Sequence, residues 1–355
     1  MGESAAGSRA GQRAVSANAR IGCVVIGRNE GERIGAALRS VRAAGLRCVY
    51  ADSASSDNSV AIARTLADLV VDLDPAIPLS AARGRNEGFA ALTRQWPDLD
   101  YVMFLDGDCI LSADFPTAGA ATLDARAEVA IVVGTLVEKA TEQNIYTRLA
   151  ALEWFSETGD MRNFGNLGGI MLVRAAHFRA VGGFDQHMIA GEDSELGVRQ
   201  ALAGHVVTKI DCPMAEHDAC ITSFDQWWKR SVRAGHALAQ RYMKHGRSPV
   251  HDCRREFYRT LFWGLIVPLA AIVPAWWTHG LSLIILLGYP LSFAKVVIAD
   301  LRRGFGLADA LLDARFSLCH KAANMIGLAT YFWRRSTGDI RIIEYKRDAI
   351  REGLS

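Results

Sequence analysis

Two stretches near the carboxyl end of the chain tolerate very few environments. Leu261–Trp277 (LFWGLIVPLAAIVPAWW) carries no charge, and after Thr278-His279-Gly280 a second run, Leu281–Ala299, carries one ionisable residue, Lys295. Each approaches the roughly 17–25 residues that cross a bilayer core. Arg254, Arg255 and Arg259 precede the first run, and Arg302 and Arg303 follow the second. Basic flanks around a three-residue turn predict a transmembrane hairpin over 258–300 with both ends on the cytoplasmic side of the inner membrane. Trp276, Trp277 and Tyr289 suit the lipid–water boundary. The competing arrangement, two helices buried in a soluble core, is left open by Pro268, Pro274 and Pro290. Phe316–Trp333 contains His320, Lys321 and Asn324 and fits an interfacial or re-entrant helix within a 301–355 segment that ends as a cytoplasmic tail.

The rest of the chain has the make-up of a water-soluble domain. Half of the 355 residues are hydrophobic and 22% are charged, enough for a large core and too apolar for a disordered chain. Forty basic residues against 38 acidic ones give a formal +2, which argues against a general nucleic-acid binder. The cysteines at 23, 48, 109, 212, 220, 253 and 319 contain no C-x-x-C pair and fit reduced core thiols. Residues 1–19, rich in Ala, Gly, Ser and Arg without an apolar centre, read as a disordered tail.

Short apolar runs alternate with helical spacing from Ile21 to Ile210, which defines a domain over 20–220. Strands are expected at Ile21–Ile26, Cys48–Ala51, Leu69–Leu73, Tyr101–Leu105 and Ile170–Val173. Helices are expected at Glu32–Val41, Asn58–Leu66 (capped by Asp57), Leu79–Leu92 and Ser194–Ala203. Such βα alternation predicts a parallel sheet covered by helices, with ligands outside the carboxyl ends of the strands. Two acidic groups stand out there. Asp106-Gly107-Asp108 ends the apolar strand YVMFL; paired carboxylates repel, and Mg²⁺ or Mn²⁺ is their natural neutraliser. The ordinary alternative is a solvated D-G-D turn. Gly191-Glu192-Asp193 opens a helix, where acidic residues also simply suit the helix dipole. Gly168-Gly169 and Gly182-Gly183-Phe184-Asp185 flank a short strand and allow close backbone approach to a ligand.

These pieces, in order with Cys23–Glu30 (CVVIGRNE), Asp52–Asp57 (DSASSD) and Ala82–Gly88 (ARGRNEG), resemble the family-2 inverting glycosyltransferases over about residues 20–235. The resemblance implies an α/β GT-A fold with a Rossmann-like mixed sheet, a nucleotide-sugar donor (most often a UDP-sugar) and a divalent cation. It implies that Asp52 hydrogen-bonds the base with Arg28 and Glu30 lining the same pocket. Arg83 or Arg85 would approach the nucleotide or its phosphates. Asp106 and Asp108 would hold the donor's ribose and the metal, Asp193 would be the catalytic base, and Glu192 would help place the acceptor. His217 is the match for a histidine completing the metal shell, with His205 as a rival.

A connecting amphipathic helix is expected over 221–257. Gln226, Trp227, Trp228 and Arg230 mix aromatic and basic character, suiting diphosphate, acceptor or anionic headgroups, or simply a helix packed on the sheet. The cluster is similar to the Q-x-x-R-W signature of processive synthases but departs from its order. The whole reads as a membrane-attached transferase acting on a lipid-linked or membrane-proximal glycan acceptor in envelope or exopolysaccharide assembly, in contact with membrane lipids. The rivals are a nucleotidyltransferase on a related sheet, for which Gly27–Gly31 is a poor triphosphate cradle, and a non-catalytic membrane scaffold.

Overall fold

The computed structural model describes residues 19–338 except 140, 142, 155, 156, 166 and 219; the sequence expectations for the N-terminal tail and for 339–355 lie outside the described residues. The chain divides into two compact units. Among the described residues the first comprises 19–139, 153–188 and 192–218, and the second comprises 141, 143–152, 189–191 and 220–338.

The first unit holds one nine-stranded sheet. Its leading half alternates as expected: β1 (Ile21–Gly27), α1 (Glu32–Ala43), β2 (Arg47–Asp52), α2 (Ser59–Leu66), β3 (Leu69–Asp72), α3 (Ala81–Gln95) and β4 (Tyr101–Asp106). Then follow β5 (Cys109–Leu111), α4 (Phe115–Ala125), β6 (Val129–Glu138), then α5 (Ile145–Glu153), nearly all of which belongs to the second unit, and β7 (Gly159–Asp160), β8 (Met171–Arg174), α6 (Ala175–Ala180), α7 (Glu192–Leu202) and β9 (Val206–His217). The strand order is β3-β2-β1-β4-β8-β6-β9-β5, with β7 on β9. Strands β1 to β4 run parallel, whereas β8 lies antiparallel between β4 and β6. The sheet is therefore mixed, as the family resemblance implied, rather than the all-parallel sheet that alternation alone predicted. The reason is that the chain reaches β8 from 161–170, a connection among the described residues without a crossover helix, so nothing forces a parallel return.

Tyr101, Val102, Met103, Phe104 and Leu105 are all buried, and burying each large side chain contributes about 1.5–3 kcal/mol. That apolar strand is what delivers Asp106 to its place. Register brings Gly27 beside Asp52 and Ile26 beside Asp106, so the tips of β1, β2 and β4 are flush. The chain passes from β1 to β2 on one side and later returns with β4 on the other; loops part above such a switch point and leave a crevice. Helix α3 starts at Ala81 rather than at Leu79, with Ser80 as its cap, the hydroxyl accepting the Arg83 N–H. Asp57 captures an N–H of the next turn as expected, but that of Ser59, while its other oxygen binds Gly31 N–H.

The second unit is helical: α8 (Phe224–His245), α9 (Arg254–Leu261), α10 (Val267–Ile272), α11 (Gly288–Arg302) and α12 (Leu307–Thr337). A π turn, Phe262–Ile266, precedes Pro268, whose missing N–H breaks the regular ladder. Arg254–Ala275 and Leu281–Arg302 are long and apolar enough to cross a membrane; little of the first is buried, and no residue in the apolar stretch of the second is buried. That exposure disfavours the buried-helix alternative. The 316–333 stretch lies inside the single helix α12, which meets α8 backbone to backbone: a Cβ on Gly235 would stand 2.3 Å from Asn324 O, and one on Gly327 2.0 Å from Val232 O. In this unit Gln226 is buried; its backbone N–H is capped by the Ser223 hydroxyl while its Oε1 accepts Thr222 N–H. Trp227 packs edge-on against Phe316 at 4.7 Å, and Trp228 and Arg230 are half-buried.

Candidate active site

The loops after β1 and β2 interlock. Asp52 is buried at the tip of β2 and accepts from the Tyr50 hydroxyl (2.8 Å), the Ser55 N–H (2.7 Å) and the Ser55 hydroxyl (2.6 Å). Burial, then the neighbouring Asp52, pushes the Tyr50 phenol well above its ordinary value, so it stays a donor. Asn29, at φ 55°, accepts the Ser56 N–H, and its own N–H reaches Ser55 Oγ. Ala54 is also left-handed, at φ 60°, a conformation costly for a residue with a Cβ and frequent where a site is over-determined. Arg28 is exposed beside this rim, and Glu30 pairs with Arg33 at 2.8 Å.

One helix, α3, supplies both candidate arginines, and they do different things. Arg83 donates to Glu87 and to the carbonyls of Asp74 and Ile77, pinning the 74–77 loop. Arg85 is buried and spans two motifs, one nitrogen on Asp106 at 2.7 Å and another on Glu192 at 2.6 Å. Burial opposes its charge, but the carboxylates of Asp106, Glu192 and Asp193 outweigh that and hold the guanidinium firmly protonated. Burial raises the Asp106 carboxyl above its usual range; Arg85 pulls it back, and Asp108 and Glu192 push it further up. Gly169, at φ 75°, donates its N–H to Asp193 at 3.0 Å. Any Cβ there would meet Arg85 at 2.4 Å and Asp106 at 3.3 Å. Asp106, Arg85, Glu192, Asp193 and Gly169 thus form one constellation, although their numbers span more than a hundred positions. Asn86, next on α3, accepts from the N–H and donates to the carbonyl of Phe184, tying the G-G-F-D turn to the same helix.

On the other side of Gly107 lies a second cluster. Gly107 sits where a Cβ would stand 3.1 Å from Ile26 O, so the β4–β5 turn is held tightly and Asp108 is turned inward, its side chain 6% exposed. Donor atoms of Asp108, Cys109 and His217 all lie within 4.8 Å of one another. His217 Nδ1 stands 2.7 Å from Glu138 Oε2, and His217 Nε2 stands 4.0 Å from Asp108 Oδ2. A carboxylate behind a histidine fixes its tautomer and turns the far nitrogen into a ligand. A separation of 4.0 Å is too long for a hydrogen bond and wide enough for one ion to touch both groups, given Mg–O distances of about 2.0–2.1 Å. The residues present fit a divalent cation. His205 lies elsewhere, its ring stacked on His177 at 3.8 Å. Gly168 adjoins Trp154, whose indole reaches Glu138 at 3.4 Å.

Sequence reasoning did not single out Cys109, Glu138, Trp154 or Asn86. Cys109 follows D-G-D directly and was within reach of sequence; Glu138 and Trp154 are joined to His217 only by strand pairing and packing.

Residues 23–182 match the profile of glycosyl transferase family 2. No curated protein matches the sequence. Among solved structures, the mannosyltransferase PcManGT from Pyrobaculum calidifontis, in complex with GDP-Man and Mn²⁺, is 18% identical over 88% of this chain and 87% of its own, with a TM-score of 0.55. TarS 1–349 of S. aureus is 15% identical over 90% and 92% at a TM-score of 0.48. Glucosyl-3-phosphoglycerate synthase from Mycobacterium tuberculosis is 16% identical over 65% and 83% at 0.44. The mannosyltransferase likeness concerns the fold, and the profile match concerns the sequence that builds the strand tips. By both, residues 23–182 carry the sequence pattern of glycosyl transferase family 2, and the fold is that of the GT-A glycosyltransferases.

Proposed function

We propose that the chain transfers one sugar, with inversion, from a nucleoside-diphosphate sugar such as a UDP-sugar to a hydroxyl of a lipid-linked or other membrane-proximal acceptor, at the cytoplasmic face of the inner membrane, in envelope or exopolysaccharide assembly. The observation that carries the reading is Arg85, which ties Asp106 of D-G-D to Glu192 of G-E-D beside the Gly169–Asp193 contact. Donor-side and acceptor-side carboxylates thereby share one crevice.

In this reading Asp52, Arg28 and Glu30 form the base pocket, and Asp106 meets the ribose. Asp108 and His217 would hold Mg²⁺ or Mn²⁺, in keeping with the Mn²⁺ of the mannosyltransferase complex. Bound there, the ion would supply Lewis-acid stabilisation of the charge that builds on the departing diphosphate. Asp193, oriented by Gly169 N–H, takes the acceptor's proton as the new C–O bond forms. Glu192, held by Arg85, helps to align that hydroxyl. A single base facing a single leaving group gives inversion without a covalent enzyme intermediate. The exposed apolar hairpin, flanked by arginines, supports an acceptor at a bilayer.

Two measurements test this. Asp193→Asn is expected to keep metal-dependent nucleotide-sugar binding within about threefold and to lose at least about a hundredfold in transfer, the scale of general-base catalysis; unchanged turnover would remove Asp193 from its role. Transfer to membrane-lipid extracts should exceed transfer to soluble glycans, and activity confined to soluble glycans refutes the acceptor assignment.

A further inference from the structure

The cation cluster contains a donor that the carboxylate–histidine reading leaves unused. Cys109, Glu138 and His217 lie in one row across three adjacent strands: Cys109 is the register partner of His217 on β5–β9, and Glu138 is its partner on β6–β9. Residues directly opposite one another in an antiparallel pair project to the same face, with Cβ atoms about 4.5–5.5 Å apart. The thiol is therefore delivered to the His217 ring by the sheet itself rather than by a mobile loop. Cys109 is 1% exposed, and its sulfur lies 3.4 Å from Asp108 Oδ1. Glu138 backs the row from the far side through His217 Nδ1.

We propose that Cys109 is a third protein ligand, so that the site is a mixed oxygen, nitrogen and sulfur centre that binds Zn²⁺ and Co²⁺ more tightly than Mg²⁺ or Mn²⁺. Hard all-oxygen sites suit magnesium, whereas a thiolate beside an imidazole favours softer ions. On binding, the ion replaces the thiol proton, which leaves to solvent, so loading releases a proton and strengthens with pH. This proposal rests on the cation-dependent reading above and sharpens it: zinc competes for the centre that magnesium or manganese serves.

The test uses the full-length chain in detergent. Zinc-edge X-ray absorption of the wild type with one equivalent of Zn²⁺ should show a sulfur neighbour at about 2.3 Å. Co²⁺ should give a thiolate-to-metal charge-transfer band. Both signals should vanish in Cys109→Ser, whose Zn²⁺ affinity should fall at least about tenfold, the scale on which even outer-shell partners act. A wild-type shell of oxygen and nitrogen alone, or a sulfur signal that persists in Cys109→Ser, overturns the proposal without recourse to whether the variant folds. Cation-stimulated sugar transfer with a sulfur-free shell removes Cys109 and spares the transferase reading. A sulfur-containing shell in a chain that turns over no nucleotide sugar upholds the centre and sinks that reading instead.

Discussion

Arg85 shows how much a single side chain can organise. Its planar fork presents several donors in fixed directions, and here two of them serve carboxylates from two separate motifs, Asp106 and Glu192. A lysine in its place offers one point charge and cannot bridge both. Arg85→Met leaves the buried Glu192 and the half-buried Asp106 facing each other without a counter-charge. Loss of one partner from a buried pair costs about 3–5 kcal/mol, so denaturant unfolding of this variant should show a loss in that range. Arg85→Lys should lose less stability yet still impair transfer, because Glu192 or Asp106 is released. Wild-type stability in Arg85→Met would mean that the two carboxylates do not depend on the guanidinium. The sequence offered Arg83 and Arg85 as equals two positions apart. The structure separates them because residues two apart on a helix point about 200° away from each other. Arg83 turns to the 74–77 loop and Arg85 to the strand tips.

At the scale of elements, most of the first unit was legible because its signals are local. Apolar runs such as YVMFL are too short and too β-branched or aromatic for helices, and β1 to β4 fall within one or two residues of the expected bounds. The long strand β6 and the pairing of β9 with β5, β6 and β7 were not legible, since strand partners leave no trace in spacing. The metal cluster inherits that blindness. Helix contacts are equally silent in sequence: Gly235 and Gly327 look like weak points in helices α8 and α12, and they turn out to be where the two backbones meet. Gly327→Ala would put a methyl 2.0 Å from Val232 O, a clash with backbone rather than with a yielding side chain. Overpacking of this kind costs about 1–3 kcal/mol, whereas alanine in an open helix would gain up to about 1 kcal/mol. Thermal unfolding in detergent distinguishes the two, and a raised midpoint would show that the α8–α12 contact is loose.

For the molecule as a whole, the decisive contrast is between a unit whose apolar strands are inside and one in which, beside a small core, two long apolar stretches stay largely unburied. Leu291 is 71% exposed and Trp276 86%, positions at which a soluble protein tolerates polar replacement. If the hairpin crosses a bilayer, Leu291→Arg should weaken insertion by about 2.5–3.5 kcal/mol and move much of the chain from the membrane pellet to the alkaline wash. A variant that fractionates like the wild type places this helix outside the bilayer. Composition and order of residues alone determined the two long apolar stretches of the chain, its alternating strands and helices, and the acidic motifs at Asp106–Asp108 and Glu192–Asp193, because each is written in neighbouring residues. Which of those residues meet was decided only by tertiary structure. Strand register, helix phase and the left-handed turn at Gly169 bring together groups more than a hundred positions apart, and such distances are set by packing, which no local pattern encodes.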